Sequence, residues 1–109
     1  VVAVDMGAVG DDLTTNEFKV SICAKDSSGP YDYTLTGKLI QLAKDNQLNY
    51  AVDLYPFYNS DASAMMRAGY DLPTALIGPG VAASHGYERT HESGIENTYA
   101  LLKHYIQTL

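Results

Sequence analysis

Thr74-Ala75-Leu76-Ile77, then Gly78-Pro79-Gly80-Val81-Ala82-Ala83-Ser84-His85-Gly86-Tyr87-Glu88-Arg89-Thr90-His91-Glu92, then Ser93-Gly94-Ile95-Glu96, is the stretch on which the fold turns. The first four residues, bounded by Pro73 and Gly78, suit a short buried strand. The last four have capping-box spacing, with Ser93 placed to cap the amide of Glu96 and the glutamate to reach back. The segment between them is thus expected to leave the carboxyl end of a strand as a loop and return as a helix. That edge is where open α/β sheets carry their binding and catalytic groups. The loop from Gly78 to Glu92 is polar, rich in glycine and longer than a plain connection needs, and it holds two of the three histidines. It reads as a piece of an active site.

Outward from that loop, the chain alternates strands and helices. Val1 to Met6 is apolar up to Asp5 and reads as a buried strand, with Asp5 at its end and turn chemistry in Gly7-Ala8-Val9-Gly10-Asp11-Asp12. Phe18, Val20 and Ile22 alternate with Lys19, Ser21 and Cys23, which predicts a strand with one drier face. Thr34 is placed to cap a helix with Leu35, Leu39, Leu42 and Ala43 along one stripe and Ile40 beside it, ended by Asp45-Asn46. Tyr50 to Tyr55 predicts a strand stopped by Pro56. Asn59 or Ser60 is expected to cap a short helix through Ala62, Met65 and Met66 that Gly69 closes. A last helix sets Ile95, Tyr99, Leu102 and Ile106 on one side. This alternation predicts parallel βαβ units and an α/β fold in a single domain, residues 1–109.

The 109 residues are one domain's worth, and 46% apolar content is ordinary for a packed core. A formal charge of −6 counts against nucleic acid, whose binders carry basic stripes, and not against cations. No apolar run approaches the length that spans a bilayer. The lone Cys23 forms no internal disulfide and fits a reducing compartment. The chain opens with Val1-Val2-Ala3-Val4 and no methionine, so a piece of a longer protein is the simpler expectation.

Two residues stand out for chemistry. His85 sits where a loop can aim a neutral imidazole, the commonest metal ligand, into a cleft, although a single histidine is more often a solvent-facing group. Asp5 closes a buried strand and needs a partner, which a backbone amide of the next turn could also supply. If their strands are neighbours, Asp5 and His85 face each other across one edge, and mixed ligation of that kind suits zinc, cobalt or manganese. Two ligands do not complete a site, since a catalytic zinc takes three protein ligands and an open position. Ser60-Asp61-Ala62-Ser63 lacks a nucleophile elbow and is explained by helix capping. Cys23 reads as a packing residue, and Met65 and Met66 as core filler. His91 is placed to orient a ligand or to stay exposed on the loop, Glu88 and Arg89 to pair with each other or hold the loop, and His104 has no assigned role.

Taken together, Val4-Asp5-Met6 with Gly10-Asp11, Ser60-Asp61-Ala62, Arg67-Ala68-Gly69, Pro73 to Gly78, His85 and Ile95-Glu96-Asn97 resemble the C-terminal part of the M42 dinuclear metal aminopeptidases. The resemblance runs nearly end to end and implies a three-layer αβα zinc-peptidase-like sheet, of which this chain is the C-terminal portion. It implies that Asp5 is a terminal ligand of one of two divalent metal ions, zinc or cobalt, and His85 of the other. The remaining ligands and the general-base glutamate are implied to lie upstream, so the isolated chain is expected to be inactive. Gly80, Val81, Ala82 and Ser84 are then expected to line the pocket for the first side chain of a peptide substrate. A cytoplasmic homo-oligomer is implied as well. The usual proline shortly after the ligand histidine is replaced by Gly86-Tyr87. The alternative is a non-catalytic α/β module that binds a partner or small ligand.

Overall fold

A computed structural model of the chain describes residues 1–10, 14–26, 29–55, 72–82 and 88–109. Six strands, β1 (Val2–Val4), β2 (Gly7–Ala8), β3 (Val20–Asp26), β4 (Gly29–Pro30), β5 (Tyr50–Leu54) and β6 (Ala75–Val81), form one sheet. Two helices, α1 (Tyr33–Asp45) and α2 (Glu92–Ile106), pack against it. The class is α/β, as the alternation of elements predicts.

The central pair is β3 and β6, antiparallel from Val20 opposite Pro79 to Cys23 opposite Leu76. On its other edge β6 pairs in parallel with β1 (Val4 opposite Ile77) and then with β2 (Gly7 opposite Gly80). The other edge of β3 pairs in parallel with β5, shifting register between Cys23 and Lys25. The sheet is therefore mixed, where uninterrupted βαβ repetition predicts parallel strands throughout. One such unit is present, β3–α1–β5, whose helix carries the chain back to start a parallel neighbour.

Strand β6 is longer than its sequence predicts. It continues through Gly78-Pro79-Gly80 to Val81, although that tripeptide has the composition of a breaker. Likewise Gly7-Ala8, expected as turn, is a strand against Gly80-Val81. Over its first four residues β3 has no wet face, because Val20, Ser21, Ile22 and Cys23 are all buried. One face of the sheet, with Val20, Ile22, Ala75 and Ile77, packs on Leu39 and Ala43 of α1 and Leu101 of α2. The opposite face gathers Ala8, Cys23, Leu76, Tyr31 and Tyr55. Full burial of a residue such as Ile22 or Leu39 contributes about 1.5–3 kcal/mol each, so the double-sided pair β3/β6 is the mechanical centre.

The helix termini depart from expectation by a residue or two. Asp32, not Thr34, caps α1, its carboxylate accepting from the Leu35 amide at 2.7 Å. The stripe on α1 is as predicted, with Leu39 and Ala43 buried and Leu35, Ile40 and Leu42 packed beside them. In α2 the buried residues are Gly94, Thr98 and Leu101, whereas Ile95, Tyr99 and Ile106 are exposed. The face turned to the protein is a neighbour of the apolar stripe, because small residues let the helix come close. The Glu17 carbonyl lies 2.5 Å from where a Cβ on Gly94 would be, and the Thr98 hydroxyl bonds back to the Gly94 carbonyl at 2.8 Å. The helix expected to start at Asn59 or Ser60, with Met65 and Met66, falls outside the described residues.

Candidate metal-binding rim

Because β1 and β6 are parallel neighbours, their carboxyl ends open on the same side of the sheet. Asp5 is the first residue after β1, and its amide continues the ladder by donating to the Ile77 carbonyl at 3.0 Å. Its side chain is exposed and has no partner among the described residues. An exposed aspartate with both oxygens open, held by its own backbone at a sheet edge, is a suitable oxygen donor for a divalent cation. The donor fits; its implied counterpart His85 lies outside the described residues, as does Ser84. Among the described residues no group of three or more His, Cys, Asp or Glu is arranged to hold a metal ion.

The segment carrying His85 springs from Ala82 and returns at Arg89. Ala82 and Arg89 exchange two backbone hydrogen bonds, at 2.7 and 3.0 Å, forming an antiparallel bridge that closes the base of the segment. Thr90 donates its hydroxyl to the Gly80 carbonyl at 2.6 Å. Gly80 and Val81 are buried within β6, and the hydrogen of Gly80 faces the Asn16 carbonyl so closely that a Cβ there would overlap it. Ala82 is half-buried. The chain is thus still strand at Gly78, where the loop is expected to begin, and stays so to Val81, with Ala82 held in the bridge.

A second segment, residues 14–19, supports these stems; Phe18 and Lys19, expected to open the strand, precede β3, and Phe18 is exposed where the alternation predicts a dry side chain. The Asp53 carboxylate, buried in β5, accepts from the Thr14 amide (2.7 Å), the Thr14 hydroxyl (3.0 Å) and the Thr15 amide (2.9 Å). Beyond that anchor, Glu17 accepts from Nε and Nη2 of Arg89 at 2.9 and 2.8 Å. Arg89 pairs with Glu17, which holds its guanidinium even more firmly protonated than usual. Phe18 packs against His91 with ring centres 4.5 Å apart and planes tilted by 45°, and its carbonyl accepts from the Asn97 side chain at 3.2 Å. His91 itself caps α2, Nδ1 accepting from the Ser93 amide at 3.0 Å, so the helix starts before the expected Ser93 cap.

Behind the rim, the tyrosine-lined face of the sheet is polar yet closed. Ser21 bonds Tyr55 through their hydroxyls, and Tyr31 donates to Asp26. Burial pushes the Cys23 thiol up to about 12 and raises the Tyr55 phenol as well, so both stay protonated at neutral pH. Cys23 donates to the Lys25 carbonyl at 3.1 Å and is a packing residue, as expected.

The M42 glutamyl aminopeptidase family model matches residues 1–101. The chain is 53% identical over 106 residues to "Putative aminopeptidase YhfE" of Bacillus subtilis (strain 168), covering 97% of this chain and 31% of that protein. It therefore spans about a third of the length of that relative. Among solved structures it is similar to aminopeptidase APDkam598 from the archaeon Desulfurococcus kamchatkensis, with a TM-score of 0.89 at 16% identity over 99% of this chain and 34% of that one. It is also similar to the Pyrococcus horikoshii TET1 peptidase, which assembles into a tetrahedron or a large octahedral shell, with a TM-score of 0.81 at 21% identity, covering 95% and 32%. At those identities the structural likeness establishes the fold, and the sequence matches establish the lineage: this chain belongs to the M42 peptidase family.

Proposed function

We propose that residues 1–109 are the C-terminal part of the catalytic domain of a dinuclear metal-dependent aminopeptidase, which removes N-terminal residues from peptides. The observation that carries the reading is the parallel pairing of β1 with β6, with an exposed Asp5 carboxylate at its end. Asp5 is opposite the level of Gly78, and Ala82 stands about 13 Å farther along the strand direction. The bridge between Ala82 and Arg89 stands past the same carboxyl end of β6, which is the side on which Asp5 follows β1.

In this reading Asp5 holds one metal ion and His85 the other, each as a terminal ligand. When bound, a pair of zinc or cobalt ions supplies an activated water at neutral pH and charge stabilisation for the attacked carbonyl. The chain's own part is to orient these two donors and to shape the wall beside them. Ala82 and Ser84 face the first side chain of the peptide, with Gly80 and Val81 as the buried base of that wall. The general base and the remaining ligands belong to the preceding part of the protein, so the 109 residues alone are inactive. The intact protein is read as a cytoplasmic enzyme; among the described residues no helix is long and apolar enough to cross a membrane. The shells formed by the TET1 relative support a homo-oligomer.

The test is hydrolysis of an aminoacyl chromogenic substrate. The full-length protein is expected to turn it over, to lose activity on chelation and to recover with zinc or cobalt, while the 109-residue chain is silent. Turnover indifferent to chelation would refute the metal role, and turnover by the short chain would refute the division of labour.

A further inference from the structure

We propose that the outer side of α2 and the open edge of β1 form one trough that seats an amphipathic helix from the preceding part of the same protein. The inference rests on the metal-peptidase reading and deepens it by naming where the rest of the catalytic domain docks.

Along α2, Ile95, Tyr99, Leu102 and Ile106 recur at steps of four, three and four residues. That spacing lines one side of a helix and is the seam against which a second helix packs at a shallow angle. Here the seam is open. Ile95, Tyr99 and Ile106 are 52, 66 and 57% exposed, and only Leu102 is partly packed on the core. The helix is held by two other sides. Gly94, Thr98 and Leu101 turn to the sheet. Asn97, two residues from both Ile95 and Tyr99 and so about half a turn away from them, accepts from the Asn49 amide just ahead of β5. The stripe therefore points the opposite way, over β6 toward β1.

Strand β1 supplies the floor of the trough. Val2 packs with the core on the α2 side of the sheet, and Ala3 belongs to the other face. Val4 thus shares the α2 side with Val2, and it is 50% exposed. Among the described residues β1 pairs only with β6, so its second edge has no partner strand. A single exposed apolar side chain needs no explanation, whereas a helix stripe and a strand residue exposed on the same side mark an interface.

The occupant follows from the length of the chain and from Asp5. The chain spans about a third of its relative, and the metal-peptidase reading puts the remaining ligands in the preceding part. Those ligands have to meet Asp5 at the end of β1. Strand β6 already fills one edge of β1, so the preceding part comes in along the other. An α/β sheet that grows by a strand there covers its face with a further helix, which sets that helix beside α2.

The experiment uses the full-length protein with a photoreactive benzoylphenylalanine in place of Tyr99, or in a second protein in place of Ile106, and identifies the captured peptide by mass. Capture of a segment from the preceding part, in a yield that does not fall on dilution, is the expected result. In parallel, thiols introduced as Ile95→Cys and Ile106→Cys are labelled against an exposed reference on α1, Gln41→Cys. Both are expected to react at least about 100-fold more slowly than the reference, because reaction waits for local opening. Capture of residues 92–109 of a second copy, in a yield that falls on dilution, overturns the proposal. So do stripe thiols that react within about threefold of the reference. Cobalt binding separates this inference from the reading beneath it. Two bound ions with an open stripe refute the docking alone, whereas capture of the preceding part without any bound cobalt refutes the metal role and leaves the docking in place.

Discussion

The carbonyl of Asp5 lies opposite Pro79, where the parallel ladder between β1 and β6 calls for an amide that proline does not have. The register is the same on both sides of the gap, with Val4 opposite Ile77 and Gly7 opposite Gly80. The Asp5 amide still donates to Ile77, and the ladder resumes only at Gly7. Freed from a donor, the Asp5 carbonyl leans over Gly78, where a Cβ would overlap it. The tripeptide Gly78-Pro79-Gly80 thus has a separate reason at each position: room for Asp5, a break in the ladder, and room for Asn16.

That account separates two substitutions that look equally mild. Gly78→Ala forces the Asp5 backbone to move and should destabilise by about 1–3 kcal/mol. Pro79→Ala restores a donor toward Asp5 but loosens the unfolded chain, and the two effects of about 1 kcal/mol oppose. Urea unfolding of the full-length variants should place Gly78→Ala well below Pro79→Ala. Equal midpoints would contradict the crowding at Asp5.

Asp53 is a buried carboxylate that satisfies two amides and a hydroxyl of Thr14 and Thr15. Asp53→Ala should cost about 1–3 kcal/mol, since it leaves the buried Thr15 amide unpaired. Asp53→Asn should cost less, because one amide oxygen still accepts. Hydrogen exchange at Thr14 and Thr15 is the local readout, and unchanged protection in Asp53→Ala would show that the segment is held from elsewhere.

His91 caps α2 through Nδ1 and packs against Phe18. His91→Ala should lower stability by about 1 kcal/mol and fray the first turn, while His91→Asn keeps an acceptor and most of that stability. Amide exchange at Ser93 distinguishes the two. An alanine variant with Ser93 still protected would move the cap back to the serine that the capping-box spacing suggests.

Alkaline stability should bear the mark of Cys23 and Tyr55. Both folded-state values are raised, so their contribution is fully present below the unfolded values and is lost as pH rises through the folded ones. For Cys23 the window runs from about 9 to about 12. Stability should fall there by up to about 1.4 kcal/mol per pH unit for each such group. Cys23→Ala should flatten that limb, and native Cys23 should resist alkylation at pH 8 until denaturant is added. Rapid labelling of the folded protein would show the thiol to be accessible.

Much of the scaffold is legible in the sequence because its signals are local. The α1 stripe, the strand at Tyr50 and the apolar core of β6 follow from periodicity and turn residues. What the sequence hides is tertiary. Gly78-Pro79-Gly80 reads as a breaker because nothing local reveals that its missing atoms make room for Asp5 and Asn16. Ser21 and Cys23 read as a wetter face because their cover, Tyr31 and Tyr55, comes from other segments. The α2 stripe misleads because contact is made by Gly94 and Thr98, which hydrophobicity does not mark. At the rim, Asp5 draws notice at the end of an apolar run, although that run is β1, an edge strand that is half-buried to exposed and not the buried strand expected. Glu17 and Asp53 carry no motif and emerge only from their contacts.

The most direct test of the central claim, that Asp5 and His85 each hold one metal on a shared rim, is a cobalt titration of the metal-free full-length protein. Wild type should take up about two ions, and Asp5→Ala and His85→Ala should each retain about one at comparable affinity. Two ions bound with wild-type affinity by both variants would contradict it.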